Sequence, residues 1–287
     1  MKILITGGRG MLGQDVTSQL TGEFEVISLN REQCDICRFD HISALITREK
    51  PDWLINCAAY TNVETAESEF DQARRVNVMA VENLARICHE NSIKLIHIST
   101  DYVFDGQKDT PYREQDIPDP ISAYGQSKYE GEKKIQAVSD RAFILRAGWL
   151  YAARGTNFVQ KVMSSIDKGQ DMSVVDDQIG SPTYVRDLAR IIRELIKKNP
   201  EDFGIYHANN TGSLSWYDFA CAIQEKFKTN VIKIQRIKTE DYRTKARRPK
   251  YSVMDNTKLS RLLGVPLRGW NEAFQECVAE IKRLQRR

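Results

Sequence analysis

Three side chains with complementary acid–base chemistry, Thr100, Tyr124 and Lys128, stand out in this chain of 287 residues. Tyr124 and Lys128 lie four residues apart in a segment that reads as a helix, so their side chains share one face. A nearby ammonium stabilises a phenolate and lowers the pKa of a tyrosine, which is ordinarily about 10. Thr100 follows an apolar run and is placed to hold a carbonyl oxygen. The set predicts carbonyl reduction, with Tyr124 as general acid, Lys128 as its pKa modifier and Thr100 as the orienting hydroxyl.

A glycine-rich loop follows the first apolar run of the chain and precedes an amphipathic stretch. This order predicts a strand, a tight turn and a helix, and the N–H groups of a helix N-terminus favour a pyrophosphate where glycines allow close approach. Gly7, Gly10 and Gly13 supply that clearance. Their G-x-x-G-x-x-G spacing differs from the G-x-G-x-x-G of ordinary dinucleotide-binding domains. An ordinary turn is the alternative, and the position after the first strand favours a cofactor site.

The elements around these residues alternate between strand and helix. One-sided apolar spacing predicts a helix over Asp71–Glu90, and short apolar runs rich in β-branched residues predict strands. Such alternation predicts an α/β fold, a Rossmann-type doubly wound parallel sheet covered on both faces. The predicted strands of this half are Lys2–Thr6, Glu25–Leu29, Trp53–Cys57, Leu95–Ser99 and Phe143–Arg146.

The pattern loosens after about residue 150, which predicts a second, smaller α/β substrate-binding domain. We predict a dinucleotide-binding domain over residues 1–150 with a returning segment around 173–198, and the smaller domain over 151–172 and 199–287. Ligands of open α/β sheets bind at the carboxyl ends of the strands. Thr61, Thr100–Tyr102 and Trp149 follow predicted strands and should line one crevice. Further elements are predicted at Ser173–Asp176, Thr183–Ile196, Gly204–Asn209, Trp216–Phe227 and Trp270–Leu284.

Composition excludes several classes of protein. The net charge of +3 is too small to argue for nucleic-acid binding. No apolar run approaches the roughly eighteen residues that a membrane span needs, and a strand at Lys2 leaves no room for a signal peptide, so we expect a cytoplasmic protein. Six scattered cysteines predict free thiols, and neither the Cys34–Cys37 pair nor four isolated histidines predict a metal site.

The residues after the second predicted strand bear on the choice of nicotinamide cofactor. An acidic side chain at this position binds the ribose 2′-hydroxyl and repels a 2′-phosphate. This chain has Asn30 followed by Arg31. A neutral residue and a guanidinium suit the extra phosphate, which predicts a preference for NADPH over NADH, with NADH as the second cofactor. A solvated surface arginine is the alternative interpretation of Arg31.

A series of motifs in order along the chain resembles one family, the extended short-chain dehydrogenases that reduce dTDP-4-dehydrorhamnose to dTDP-L-rhamnose. The resemblance runs nearly end to end, and it implies hydride transfer from NADPH to the C4 keto group of a nucleotide sugar. Its signposts are Gly7–Gly13, Asn56–Thr61, Asn77, Ser99–Gly106, Tyr124 with Lys128, Arg146–Tyr151, Asp177–Thr183, and Arg248–Pro249 followed by Ser252, Asp255 and Lys258.

The resemblance also implies roles for individual residues toward cofactor and sugar. Gly10, Met11 and Leu12 would contact the pyrophosphate, Asp35 and Ile36 the adenine, Ala59, Tyr60 and Thr61 the cofactor toward its nicotinamide, and Lys128 its ribose. Thr100, Asp101 and Tyr102 would meet the sugar, Trp149 would pack against the sugar nucleotide, and Arg248 would contact its diphosphate. Structural alternatives are plain core for Trp149, a turn cap for Asp101 and a solvated basic run for Arg248.

Assembly and competing functions complete the predictions. Some family members dimerise through magnesium held by glutamates, and only Asp15 matches one of those positions, so we predict no obligatory metal and a monomer or homodimer. One rival is a nucleotide-sugar epimerase or 4,6-dehydratase holding NAD. Dehydratases usually have Asp-Glu after the threonine, whereas Asp101 precedes Tyr102 here. The other rival is a non-catalytic subunit like the regulatory subunit of methionine adenosyltransferase, which the intact Thr100, Tyr124 and Lys128 do not favour.

Overall fold

A computed structural model describes residues 1–227 and 231–286. Its central sheet begins with β1, which sits between β2 and β3. The strands are β1 (Lys2–Thr6), β2 (Glu25–Leu29), β3 (Trp53–Asn56), β4 (Lys94–Thr100), β5 (Ala142–Ala147), β6 (Leu150–Tyr151), β7 (Met172–Val175), β8 (Ile179–Gly180), β9 (Thr183–Tyr184), β10 (Gly204–His207), β11 (Leu214–Ser215) and β12 (Ile234–Ile237).

The helices cover both faces of that sheet and build the smaller part of the molecule. They are α1 (Met11–Leu20), α2 (Phe39–Glu49), α3 (Val63–Ala66), α4 (Phe70–Arg74), α5 (Ala80–Glu90), α6 (Ala123–Val138), α7 (Phe158–Lys168), α8 (Val185–Lys198), α9 (Trp216–Lys226), α10 (Thr257–Leu263) and α11 (Trp270–Gln285). In the described ranges, no helix is both long enough and apolar enough to cross a membrane.

Six strands form the large sheet in the order β10-β5-β4-β3-β1-β2, and every neighbouring pair is parallel. The chain moves from β1 to β2 on one side and then to β3 on the other side. The strand order therefore reverses between β1 and β3, where open α/β sheets hold their ligands. The predicted Rossmann-type parallel sheet is confirmed.

Alternate side chains of β1 show why this sheet needs helices on both faces. Ile3 and Ile5 pack into a core with Val16 of α1 and Leu188 of α8. Leu4 points the other way, into a core with residues of α2, α5 and α6. Both sets are buried, so the strand reads as a continuous apolar run rather than an alternating one. Each such burial stabilises the fold by about 1.5–3 kcal/mol.

The predicted helix Asp71–Glu90 is interrupted. A π-helical segment, Arg75–Met79, separates α4 from α5. Within it, the buried Asn77 accepts a hydrogen bond from Tyr60 N at 2.9 Å and donates to Tyr60 O at 3.0 Å. It also donates to Ser127 Oγ at 3.0 Å. Hydrophobic periodicity carries no sign of this turn, because the turn serves an amide that braces the loop after β3.

Helix α6 is fixed against the sheet by a cap and by two glycines. Ser122 Oγ accepts from Gly125 N at 3.2 Å at the start of the helix. A Cβ at Gly125 would lie 2.2 Å from Tyr102 O, and one at Gly131 would lie 2.1 Å from Asn77 O. Only glycine allows this close approach. The two contacts with the backbone of Tyr102 and Asn77 therefore fix the position of α6, and with it the helix face that carries Tyr124 and Lys128.

The smaller part has its own core, built by α7, α9 and α11 around buried Tyr151, Phe219 and Phe274. Two elements differ from the predicted division. Met172–Val175, which overlaps the segment around 173–198 predicted to return to the dinucleotide-binding domain, pairs with Ile234–Ile237, whereas Gly204–His207, predicted in the smaller domain, pairs with β5. Strand-forming sequence does not say which sheet edge a strand joins. The division into domains stays a prediction, and residues 228–230 and 287 lie outside the described residues.

Candidate active site

A cleft of about 940 Å³ opens where β1, β3, β4 and β5 end. The structure brings most of the predicted site residues together on its walls, as the crevice prediction requires. Those lining it are Gly7, Gly10, Met11, Leu12, Asn30, Arg31, Asp35, Ile36, Ala59, Tyr60, Thr61, Thr100, Asp101, Tyr102, Tyr124, Lys128 and Trp149. Gly13 and Arg248 are not among the lining residues.

The three glycines of the loop do different things. Gly7 has φ of +70°, and a Cβ there would lie 2.7 Å from Ala58 N. A Cβ at Gly13 would lie 2.3 Å from Gly7 O, so Gly13 allows α1 to pack under the loop rather than facing the cleft. A Cβ at Gly10 would approach only Gly7 O, at 3.1 Å. The clearance predicted for all three therefore belongs to Gly10 in particular.

The N-terminus of α1 suits a pyrophosphate. Gly10 is its N-cap, and no side chain caps the helix there. Among residues 1–227 and 231–286, the first N–H groups of the helix, including those of Met11 and Leu12, have neither an intrahelical nor a side-chain partner, and both residues line the cleft. Free N–H groups, the helix dipole and an open glycine together fit the phosphates of a dinucleotide.

The end of β2 combines a buried amide with exposed cations. Asn30 is buried, and its Oδ1 accepts from Gln33 N at 3.0 Å. Arg31 extends into solvent with 80% of its side chain exposed, 3.9 Å from Asp35 Oδ2. Arg9 of the glycine loop, which the sequence did not single out, also lines the cleft and pairs with Glu32 at 3.6 Å. Two guanidiniums and no acidic residue at position 30 suit an additional phosphate.

Thr100 and Tyr124 meet at the end of β4. Thr100 Oγ1 accepts from Tyr102 N at 3.2 Å and donates to Asp101 Oδ1 at 3.2 Å, which caps the short turn that follows the strand. The ring of Tyr124 lies edge-on to Tyr102, with centroids 5.7 Å apart. Burial raises the pKa of Tyr124 to about 12, against the opposing effect of the Thr100 hydroxyl. Tyr124 is therefore protonated at neutral pH, as a proton donor must be.

Lys128 lies beneath the cleft, only 2% exposed. Its Nζ donates to Ile98 O at 2.7 Å and lies 3.3 Å from His97 Nε2. Burial lowers the pKa of Lys128 to about 8, with Glu132 opposing. The prediction that an ammonium of Lys128 lowers the pKa of Tyr124 does not describe this arrangement, because Nζ points to β4 and the burial of the phenol prevails.

Asp101 presents an unsatisfied buried acid to the cleft. Its Oδ2 has no hydrogen-bond partner within the described part of the chain. The carboxyl group packs on Gly148, where a Cβ would lie 2.5 Å from Asp101 Cγ. Burial raises the pKa of Asp101 to about 6, with Ser252 opposing. A free, buried acceptor of this kind suits a hydroxyl of a sugar.

Trp149 has an unusual backbone for an aromatic residue, with φ of +52°. Its indole stacks on Trp216, with centroids 3.5 Å and planes 2° apart, and a Cβ at Gly180 would lie 2.3 Å from the ring. Such a backbone costs on the order of 1–3 kcal/mol. This strained backbone conformation places the Trp149 indole on one wall of the cleft. Trp216 has no sequence signal, because its partner lies 67 positions earlier in the chain.

Arg248 lies close to the cleft without lining it. Its Nη2 donates to Glu64 Oε1 at 2.5 Å and its Nη1 to Ala246 O at 3.2 Å, with 19% of the side chain exposed. Burial raises the pKa of Tyr102, and the Arg248 guanidinium acts against that rise. A contact to a diphosphate would require Arg248 to share or leave Glu64, and this role stays a prediction.

Carboxylates near α1 are engaged by arginines. Asp15 Oδ1 lies 3.3 Å from Arg186 Nε, and Arg186 also pairs with Glu280 at 2.5 Å. Within residues 1–227 and 231–286 there is no group of three or more His, Cys, Asp or Glu residues that could hold a metal ion. Cys34 and Cys37 are both free thiols.

Comparison with known proteins agrees with this geometry. Residues 1–283 match the family described as RmlD substrate binding domain. The chain is 39% identical over 286 residues to a dTDP-4-dehydrorhamnose reductase of Aggregatibacter actinomycetemcomitans, with 96% of this chain and 97% of that protein covered. It is 34% identical over 275 residues to a dTDP-4-keto-6-deoxy-D-glucose reductase of Streptomyces niveus, with 95% of each covered.

A solved structure gives the same result. A dTDP-4-dehydrorhamnose reductase from Bacillus anthracis str. Ames, in complex with NADP, has a TM-score of 0.93 and 36% identity, covering 97% of this chain and 99% of that one. The resemblance of the motifs to this family is thereby confirmed. The chain belongs to the RmlD substrate-binding-domain family, the family of the dTDP-4-dehydrorhamnose reductases that it matches along nearly its whole length.

Proposed function

We propose that the protein reduces the C4 keto group of dTDP-4-dehydro-L-rhamnose to give dTDP-L-rhamnose, with NADPH as the hydride donor. The observation that carries the proposal is the shared cleft, in which the uncapped N-terminus of α1 and the Thr100–Tyr124 pair face the same space. Close relatives bear the name of this reaction, and one binds NADP.

The residues at the end of β4 and on α6 supply the proton chemistry. NADPH, when bound, supplies the hydride. Thr100 orients the carbonyl oxygen through its hydroxyl, and Tyr124, protonated because burial raises its pKa to about 12, donates the proton to the developing alkoxide. Lys128, which lines the same cleft, would hold the nicotinamide ribose. Electrostatic stabilisation of the alkoxide by two hydroxyl groups in a buried setting lowers the barrier.

The sugar nucleotide is proposed to lie against the opposite wall of the cleft. Asp101 offers its unpaired carboxylate oxygen to a sugar hydroxyl, Tyr102 flanks it, and Trp149 packs against the ligand. Arg248, which is 19% exposed and acts on Tyr102, is the cation proposed to contact the diphosphate. The 2′-phosphate of NADPH is proposed to bind near Arg31, and Arg9 adds a second guanidinium at that end. Comparable KM values for NADPH and NADH would contradict this preference.

The test is NADPH oxidation with enzymatically prepared dTDP-4-dehydro-L-rhamnose, with the product identified by chromatography. Formation of dTDP-L-rhamnose supports the proposal. Tyr124→Phe should lower kcat by roughly a hundredfold or more while the affinity for NADPH is kept. Tyr129→Phe, on the same helix and outside the cleft, is the matched control and should turn over like the unmodified protein. Equal turnover of both variants would show that Tyr124 is not the acid.

A second substrate deserves a parallel assay, because one relative is named a dTDP-4-keto-6-deoxy-D-glucose reductase. Faster turnover of that sugar would move the proposal to the other keto sugar and leave the chemistry unchanged. Bound NAD that recycles without net oxidation of NADPH would favour the epimerase or dehydratase reading. The predictions of a cytoplasmic location and of a monomer or homodimer stay predictions, and sedimentation in solution measures the second.

A further inference from the structure

A buried histidine connects the catalytic lysine to the end of β3. His97, on β4, is 1% exposed. Its Nδ1 lies 3.1 Å from Asn56 Nδ2, and its Nε2 lies 3.3 Å from Lys128 Nζ. The chain of contacts continues from Asn56 Oδ1 to the buried hydroxyl of Thr6 at 2.7 Å. The proposed mechanism gives His97 no role, although its buried imidazole contacts the catalytic lysine.

The protein fixes the tautomer of this ring. A backbone N–H can only donate, and Ala58 N lies 3.1 Å from Asn56 Oδ1, so the oxygen of that amide must face Ala58. Asn56 Nδ2 is therefore the atom that faces His97, and it too can only donate. His97 Nδ1 must accept, which leaves the single proton of the neutral ring on Nε2. A doubly protonated ring would place an N–H against the amide N–H of Asn56.

The tautomer has a consequence for Lys128. The Nε2–H of His97 points at Nζ, so the two groups are complementary only when Nζ offers a lone pair. A neutral amine accepts from His97 and donates to Ile98 O, which satisfies both contacts. An ammonium still donates to Ile98 O but meets an N–H at 3.3 Å. Lys128 therefore faces an acceptor at Ile98 O and a donor at His97.

We propose that His97 is a positioning residue that presents an N–H to Lys128 and thereby promotes loss of the lysine proton. The lowered pKa of Lys128 agrees in direction, and the pKa of His97 lies well below its ordinary value because of burial and the neighbouring lysine. Glu132 acts against this effect, but Arg146 neutralises its carboxylate. Lys128 contacts His97 on β4 and is acted on by Glu132 of its own helix, which Arg146 on β5 pairs with; Tyr124, Asp101 and Cys57 are titratable groups that line the same cleft.

The consequence for catalysis rests on the proposed function, whereas the protonation itself does not. A lysine that releases its proton near neutral pH sets an alkaline limit on any step that needs the ammonium. The network ends at Thr6, which is fully buried, so it holds His97 in place and does not carry the proton. Lys128 also lines the cleft, so its proton is released to water on that side. His97 thus acts through Lys128 and does not touch the substrate.

The test is a direct titration of Lys128 by NMR in protein labelled with ¹³C at the lysine ε-carbon, the signal being assigned by its loss in Lys128→Arg. In His97→Gln the amide can rotate to offer its oxygen to the ammonium, so the pKa of Lys128 should rise, with about a tenfold gain in proton affinity. His89→Gln, at an exposed histidine on α5, is the control and should leave the titration unchanged. An unchanged or lower pKa of Lys128 in His97→Gln would overturn the proposal.

A second measurement needs no variant. ¹⁵N NMR distinguishes the two neutral tautomers of a histidine, and the proposal requires the proton of His97 on Nε2 between about pH 6 and pH 8. A proton on Nδ1, or a charged ring in that range, would sink it even if every substitution of His97 failed to fold. Neither measurement uses a keto sugar, so the failure of this inference is distinguishable from the failure of the proposed reaction. A substrate assay then adds that the alkaline limit of kcat moves upward in His97→Gln.

Discussion

Arg146 and Glu132 form a two-point ion pair in the interior, with Nε–Oε1 at 2.9 Å and Nη2–Oε2 at 2.6 Å. The two side chains are 1% and 0% exposed. Ser99 Oγ also donates to Glu132 Oε1 at 2.5 Å. The pair joins β5 to the helix that carries Tyr124 and Lys128, and it lies directly behind the strand end that carries Thr100. The catalytic helix is therefore attached to the sheet by charge as well as by packing.

We expect Glu132→Gln to lower the free energy of unfolding by about 3–5 kcal/mol, because the buried guanidinium of Arg146 then has no counter-charge. Urea unfolding measures this. Glu130→Gln is the matched control on the same helix, since Glu130 pairs with Arg74 at 2.9 Å near the surface. That change should cost less than about 1 kcal/mol. An equally small loss of unfolding free energy in Glu132→Gln would mean that Arg146 finds another partner.

Asp101 gives a pH-dependent prediction. Its pKa is about 6 in the folded protein against an ordinary 3.8, so the folded state holds the proton more tightly than the unfolded state. Stability then falls as pH rises between these values and the full penalty, about 3 kcal/mol, is present above about pH 6. We expect Asp101→Asn to be more stable than the unmodified protein at about pH 8 and equally stable at about pH 3.

Urea unfolding of both proteins at the two pH values measures this difference. The same variant should bind the sugar nucleotide more weakly, because an amide offers one oxygen where the acid has two. A stability gain of the same size at both pH values would contradict the raised pKa as the cause.

The sequence predicted the catalytic face of the site because that face depends on local regularities. The four-residue spacing of Tyr124 and Lys128 is a property of any helix, and the loop from Gly7 to Gly13 follows its strand directly. Thr100 ends a strand, and parallel strands end together at one edge of a sheet. These features needed only the period of helices and the topology of the sheet.

The residues that the sequence did not reveal act across the fold. His97 reads as one more strand residue until Asn56 and Lys128 are placed beside it, and Trp216 lies far along the chain from Trp149. The π-helical turn at Asn77 exists for a contact with Tyr60, which no periodicity carries. The spacing of the loop groups Gly13 with the glycines that give phosphate clearance, because spacing alone does not tell a glycine that faces a ligand from one that faces a helix.

Trp216 offers a test of the aromatic wall. Its indole supports that of Trp149 from behind and also packs on Phe158 at a centroid distance of 4.5 Å. We expect Trp216→Leu to raise the KM for the sugar nucleotide up to about tenfold, because stacked aromatic pairs contribute about 0.5–1.5 kcal/mol. kcat should change little, since the proton donor is untouched. Steady-state kinetics separate the two parameters.

Trp216→Phe is the control, because a smaller ring keeps part of the stack and should give an intermediate KM. The affinity for NADPH should be equal in all three proteins. A loss of kcat with an unchanged KM would mean that Trp149 orients the reacting sugar instead of holding it.

Lys128 should be a functional residue that weakens the fold. Its pKa is about 8 in the folded protein, below the ordinary 10.5, so the folded state binds that proton less tightly than the unfolded state does. The difference between these values corresponds to about 3 kcal/mol. By linkage this penalty is complete below about pH 8 and disappears as pH rises toward about 10.5.

We expect Lys128→Met to abolish reduction and to raise the free energy of unfolding by a few kcal/mol at about pH 7, with a smaller gain at about pH 10. Urea unfolding at both pH values measures the gain, and Lys133→Met, at a lysine on the same helix that lies over the Tyr129 ring, is the control and should show no such dependence. A Lys128→Met variant that is less stable than the unmodified protein at about pH 7 would show that the contacts of the amine to Ile98 O and His97 outweigh the cost of burying its charge.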